Sequence, residues 1–235
     1  MARTVDEVAH ARRREEFLDA AQRLIGTKGY EEMSVRDVLD EASASRGAFY
    51  HYFGSKQDLL WALIDRTGET LLEMLRSAVE ESGTDALARL RGYFKALAEV
   101  KLSQRALRSP TLRTWQSDGN VLTRQKVRTD IIERHTPLLA AIVRDGVAQG
   151  LFTAPHPEHT GRLLITLIQD LNEELTRLFL AFEAGEAGAD DVRHTVEAYS
   201  SAVQSVLGLP EGSVVIVEPS ALLAWFDAAS KRNGA

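Results

Sequence analysis

Hydrophobic and polar positions in this chain alternate with a helical period almost from end to end. Phe17, Ala20, Ala21, Leu24 and Ile25 fall at i, i+3, i+4, i+7 and i+8, which lays one apolar stripe along a helix. Thr4-Val5-Asp6-Glu7 has the Thr-x-x-Glu form of a capping box and predicts where that helix starts. Gly29, which tolerates positive φ, predicts its end. Ser34-Val35-Arg36-Asp37 is a second capping signature, followed by a short stripe of Val35, Val38, Leu39 and Ala42. Ser45 then predicts the N-cap of a third short helix, from Arg46 to about Tyr52, closed by Gly54. Ser55-Lys56-Gln57-Asp58 opens a long helix carrying Leu59, Leu60, Leu63, Ile64, Leu71, Leu72 and Leu75.

Further helices are predicted at about 84–107, 111–117, 120–149, 157–183 and 189–208. The breaks between them fall at Gly83, Ser109-Pro110, Asp118-Gly119, Gly150 with Pro155 and Pro157, and Gly185 with Gly188. Only Val214-Val215-Ile216-Val217 is strand-like. Four residues are too few to found a sheet, so an extended linker is expected there, before a last helix at about 220–231. The expected fold class is all-α.

Composition changes this picture little. The chain has 235 residues, 44% hydrophobic and 26% charged, an ordinary globular balance. It has no cysteine, which excludes disulfides, thiolate metal sites and cysteine nucleophiles. The N-terminus is too polar for a signal peptide and no apolar run is long enough for a membrane span, so no membrane association and a cytoplasmic location are expected. The sequence contains no G-x-x-x-x-G-K-[ST], G-x-S-x-G or H-E-x-x-H, and neither an enzymatic activity nor a cofactor is expected. His156-Pro157-Glu158-His159 comes nearest to a metal cluster; it is read as two surface histidines, and no metal site is expected.

Charge is more telling. A net charge of −6 argues against a general nucleic-acid binder. Yet residues 42–57 hold Arg46, His51 and Lys56 and no acid at all. Acidic groups are thus absent from the turn and third helix of a pattern of three short helices, the last two joined by a tight turn, that spells a helix-turn-helix. Such a motif needs a third helix that anchors one face, here through Phe49 and Phe53, and offers the other to a DNA groove. Small residues near its start, Ser45, Gly47 and Ala48, allow close approach.

The segment SVRDVLDEASASRGAFYHYFGSKQDLL, residues 34–60, closely resembles the TetR family of repressors. The carrying features are Ser45-Arg46-Gly47 at the opening of the recognition helix, the aromatic run Phe49-Tyr50-His51-Tyr52-Phe53 at its close, and Ser55-Lys56 at the start of the fourth helix. The resemblance is specific over about residues 10–65. It implies phosphate contacts from Tyr50, Lys56 and His51, and further backbone contacts from Ser34 and Arg36. Arg46 is the expected base reader, since arginine can engage guanine O6 and N7 in bidentate fashion. Ser45 and Ala48 are expected to touch neighbouring base edges, and Gly47 to permit close approach. One departure is Ser43-Ala44, where the family commonly has Gly-Val; serine at positive φ costs on the order of 1 kcal/mol.

The resemblance further implies a DNA-binding domain over 1–56 and a helical ligand-binding and dimerisation domain over 57–235. Helices 157–183 and 189–208 carry more apolar residues than one stripe, and a homodimer is expected through them. Phe94, Leu97, Leu112, Trp115, Ile168 and Asn172 are candidate effector-lining residues, with Ile131, Arg113, Gln116 and Glu173 beside them. The expected partners are double-stranded operator DNA and an unidentified small-molecule effector. The alternative is a helix-turn-helix regulator controlled by a protein partner, or one without a ligand. The segment 209–235 is expected either to cap the helical bundle or to extend the dimer interface.

Overall fold

The structure is a computed structural model that describes residues 2–103 and 121–233. Its elements are α1 (Ala2–Lys28), α2 (Val35–Glu41), α3 (Arg46–Tyr52), α4 (Lys56–Glu81), α5 (Ala86–Ser103), α6 (Val121–Ala148), α7 (Pro157–Glu183), α8 (Ala189–Leu207) and α9 (Pro219–Asn233). The all-α class is therefore observed, with no strand among the described residues. The helix expected at 111–117 lies outside them. Among the described residues no helix is long and apolar enough to cross a membrane.

The chain divides into two compact units, Met1–Thr70 and Leu71–Ala235. The sequence reading puts the division at 56/57, where α4 begins; the boundary between the compact units falls within α4.

In the first unit the apolar stripe of α1 does what its spacing dictates. Phe17, Leu18, Ala20 and Ala21 are fully buried against Met33, Val38 of α2, Phe49 of α3, Phe53, and Leu59 and Leu63 of α4. The Phe17 ring meets Phe49 at 5.7 Å and Phe53 at 6.1 Å, both edge-on, the arrangement that ring quadrupoles favour. Arg66 of α4 fastens the rim of this core. It reaches back to Glu15 at 2.9 Å, Asp19 at 2.7 Å and Gln22 at 2.7 Å, three acceptors on one face of α1.

In the second unit α5, α6, α7 and α8 enclose a core that includes Tyr93, Phe94, Leu139, Ile142, Leu164, Ile165, Ile168, Val203 and Leu207. The contact of α6 with α7 is especially close at Gly161. A Cβ there would lie 2.6 Å from the Ala140 amide nitrogen, so only glycine fits.

The segment after α8 is built into this unit. Gly208, with φ 67, ends α8 in the left-handed conformation. Gln204 and Ser200, both buried on α8, accept from the backbone amides of Ser213 (2.9 Å) and Ile216 (3.3 Å). Arg91 of α5 donates to the Ser213 carbonyl at 2.9 Å. The apolar run expected as an extended linker is indeed no strand, but it is not idle: Val214, Ile216 and Val217 are buried while Val215 points outward. α9 then sets Leu222 and Phe226 against Phe179 of α7, with the two phenyl rings 5.2 Å apart. The tail thus caps the helices of its own unit.

Candidate nucleic-acid interface

Local sequence fixes the geometry of the three short helices. Ser34 caps α2 reciprocally: its hydroxyl accepts from the Asp37 amide at 3.2 Å, while the Asp37 carboxylate accepts from the Ser34 amide at 2.7 Å. Lys28, 2.8 Å from Asp37, together with the Ser34 hydroxyl and amide, holds that carboxyl well below the usual carboxylate range. Ser45 caps α3 by accepting from the Ala48 amide at 3.2 Å, and Ser55 caps α4 by accepting from the Asp58 amide at 3.0 Å. Between α2 and α3, Ser43 takes φ 46, the positive value that its place in the turn demands. Its carbonyl accepts from Arg13 of α1 at 3.3 Å, which braces the turn from the first helix.

α3 is split lengthwise by burial. Phe49 and Phe53 face inward, buried to 0% and 3% exposure. Ser45, Arg46, Gly47, Tyr50 and His51 face outward and are exposed, with Ala48 half-buried at the margin. The Arg46 guanidinium lies over the Tyr50 ring at 5.6 Å, so the two outward side chains orient each other. A Cβ added at Gly47 would meet nothing within 4 Å, so neither space nor backbone conformation inside the unit requires glycine there.

Ser34 and Arg36, at the start of α2, are also exposed, and Arg36 is held only loosely by Asp40 at 3.9 Å. Lys56 is half-buried. Its ammonium donates to the Glu31 carbonyl at 3.2 Å and lies 4.2 Å above the Tyr30 ring, which leaves further N–H donors for an anion.

Some contributors escaped the sequence reading. His10 of α1 lies 4.4 Å from the Tyr52 ring and 5.4 Å edge-on from His51. Tyr30 beneath Lys56 and Arg13 against the turn likewise support residues singled out from sequence. None shows in a periodicity plot, because each acts on a residue 25 or more positions away.

Of the candidate effector residues, Phe94, Leu97 and Ile168 sit in one buried cluster of the second unit, with Ile131 packed against it. Asn172, on the next turn of α7, is half-buried. Glu173 pairs with Arg128 at 2.8 Å. Leu112, Arg113, Trp115 and Gln116 lie outside the described residues. The same cluster holds a polar pair that sequence did not single out. The Tyr93 hydroxyl and His135 Nδ1 are 2.6 Å apart, and both residues are buried. Burial pushes the Tyr93 hydroxyl upward, and burial with the nearby Lys101 charge pulls His135 down to about 4.

The expected dimer helices do carry two kinds of apolar position. On α7, Leu164, Ile165, Ile168, Leu171, Leu178 and Phe179 face inward, whereas Leu163 is 53% exposed and Leu167 half-buried. That outer stripe also holds Asp170, bonded by the Tyr199 hydroxyl, and the pair Arg177–Glu174, so it is more polar than its leucines suggest. His156 and His159 lie with ring centroids 6.3 Å apart, and no group of three metal-ligating side chains occurs among the described residues.

Residues 17–63 match the profile of bacterial regulatory proteins of the tetR family. The chain is 35% identical to an HTH-type transcriptional regulator in the lacX 3′ region of Lactococcus lactis over 78 residues, 33% of this chain and 40% of that one. It is 32% identical to the regulator BetI of Agrobacterium fabrum over 44% of this chain and 48% of BetI. Both alignments thus span less than half of the relative. The HTH-type regulator YfiR of Bacillus subtilis is matched more fully, 25% identical over 82% of this chain and 92% of YfiR. A TetR-family transcriptional regulator from Pectobacterium atrosepticum has the same fold, with a TM-score of 0.62 at 20% identity over 86% of this chain and 98% of that one. A TetR regulator from Haloarcula marismortui is similar to it at a TM-score of 0.59 and 22% identity, over 84% and 99%.

Proposed function

The chain belongs to the tetR family of bacterial regulatory proteins, a family of DNA-binding transcriptional regulators, and from that premise we propose that it is a homodimeric repressor released from a palindromic operator by a small-molecule effector. The observation that carries the reading is the lengthwise split of α3, with two phenylalanines buried and an acid-free outer face of Ser45, Arg46, Gly47, Tyr50 and His51. In the proposal α3 enters the major groove, Arg46 reads a guanine, and Ser45 and Ala48 meet adjoining base edges. Tyr50, His51 and Lys56 hold phosphates on one side of the groove, and Ser34 and Arg36 hold them on the other. Two copies of α3 then occupy half-sites about one DNA turn, roughly 34–36 Å, apart.

The second unit carries dimerisation through α7 and α8 and holds the effector among Phe94, Leu97, Ile168 and Asn172. α4, Lys56–Glu81, contains the boundary between the two units in the chain, and in the proposal it is the element through which the effector acts on operator binding. Effector and operator oppose each other through this helix.

In vitro selection of random duplex DNA by the purified protein tests the reading. An inverted repeat with half-sites one turn apart is the expected product. Sequence-indifferent recovery, or no enrichment at low salt, would overturn it.

A further inference from the structure

We infer that Arg13 of α1 is a positioning residue for DNA recognition: it sets the base-reading end of α3 by holding the strained turn before it, without touching DNA itself. This rests on the reading of α3 as the recognition helix and adds a residue, on another helix, that acts through it.

Three residues, 42–44, separate α2 from the Ser45 cap of α3. All three of their amides are taken up by α2. Ala42 donates to the Val38 carbonyl at 2.9 Å, Ser43 to Asp40 at 3.3 Å and Ala44 to Leu39 at 2.9 Å. The turn is thus fastened to the helix behind it, and the direction in which the chain leaves toward α3 depends on the backbone of Ser43. That residue has φ 46, and among the described residues no other non-glycine has a positive φ. Glycine takes this conformation freely; for serine it is strained and persists only where surrounding contacts hold it.

Arg13 supplies such a contact from 30 residues away. Its Nη2 donates to the Ser43 carbonyl at 3.3 Å, while its Nη1 is paired with Glu16 on the next turn of α1. The guanidinium also lies 5.4 Å from the centroid of the Phe17 ring, and the side chain is only 33% exposed. The fork is therefore held at two points before it reaches the turn. Phe17 is also the ring that anchors α3, meeting Phe49 at 5.7 Å. One small region of α1 thus holds both the turn and the buried face of the helix that follows it.

An ion pair at i,i+3 on a helix surface contributes little by itself. Such a pair does not call for a second guanidinium nitrogen on the carbonyl of a strained residue. Arg23 of α1 is the plainer case: it bonds the Glu41 carboxylate at the end of α2, at 2.8 Å. Arg46, the base reader, is the first residue of α3 and stands three positions after Ser43. A turn that relaxes therefore displaces the base-reading end of α3 first, and discrimination between sequences suffers more than attachment to phosphates.

The test uses the duplex recovered by wild-type selection beside the same duplex with scrambled half-sites. Arg13→Ala, Ser43→Gly, the double variant and Arg23→Ala are titrated at a temperature where melting curves show each one folded. Arg13→Ala should lose about tenfold or more on the selected duplex and less than about threefold on the scrambled one, with the salt slope unchanged. Ser43→Gly alone should stay within about threefold of wild type, and in the Arg13→Ala background it should recover at least about half of the logarithmic loss, since glycine needs no brace. Arg23→Ala, which removes the same charge from the same helix, should stay within about twofold. Equal loss on both duplexes with a flatter salt slope would make Arg13 a phosphate contact and overturn the inference. Unchanged affinity of Arg13→Ala, or additive effects of the two substitutions, would overturn it as well. Urea unfolding of wild type, the two single variants and the double variant measures the same coupling without DNA. A palindrome with additive unfolding effects would remove only the role of Arg13; coupled unfolding effects with no enriched sequence would support the brace and overturn the regulator reading.

Discussion

At the residue scale, Gly47 separates a folding requirement from a binding one. Nothing lies within 4 Å of a Cβ placed there. Gly47→Ala should leave thermal stability unchanged or raise it by up to about 1 kcal/mol, the helix-propensity difference. It should nonetheless weaken operator binding at least tenfold if α3 approaches the groove closely, as gel-shift titration beside a melting curve would report. Arg46 and Tyr50 are distinguishable in the same assay. Arg46→Ala should cost about 1–3 kcal/mol on the best site and relax preference at one base pair. Tyr50→Phe should weaken all sequences alike, and unchanged affinity of Arg46→Ala on every sequence would remove the base-reader assignment. His135 offers a prediction in pH. Its ring titrates near 4 in the folded chain against 6.5 for an ordinary histidine, so as pH falls the unfolded chain takes up the proton first. This contribution to stability is fully present above about 6.5 and is lost between there and about 4, to an extent of up to about 3 kcal/mol. Urea unfolding of wild type and His135→Gln across that window should show the wild-type decline flattened in the variant.

At the scale of elements, most of the fold was legible because helix ends are written locally. Ser34 with Asp37, Ser45 and Ser55 each cap a helix at the position their spacing announced. The bounds Pro157–Glu183 follow directly from a proline at the first turn and a glycine two residues past the end. Partners between helices were not legible. Tyr93 and His135 are 42 residues apart, and periodicity assigns each to a face without saying which face meets which. The outer face of α3 could be read because burial of Phe49 and Phe53 fixes it. The crossing of α6 over α7 could not, since Gly161 in sequence is only a poor helix former. In the structure it is a point of close approach, and the nearest obstructing atoms are those of the Ala140 backbone. Gly161→Ala should therefore destabilise by on the order of 1–3 kcal/mol through overpacking, despite the propensity gain. Gly26→Ala on α1, where a Cβ meets nothing, should do the reverse. Denaturant titration of the pair checks both signs.

At the scale of the whole molecule, a chain of net charge −6 has little non-specific attraction for DNA, and binding must come from a few placed contacts. With Arg36 and Lys56 as the cations set against phosphates in each subunit, the logarithmic salt dependence of a dimer should have a slope of about −4. A much steeper slope would require cations outside the proposed set. The clamp of Arg66 on α1 has another consequence, in time. Glu15 and Arg66 are 51 residues apart, and Phe17 and Leu18 find their cover on α3 and α4. At a synthesis rate of about 5–20 residues per second, roughly 3–10 s pass between the making of α1 and the arrival of its last fastener. During that interval a nascent chain carries an uncovered phenylalanine-leucine stripe, which makes α1 a segment in need of chaperone cover while the protein is being born.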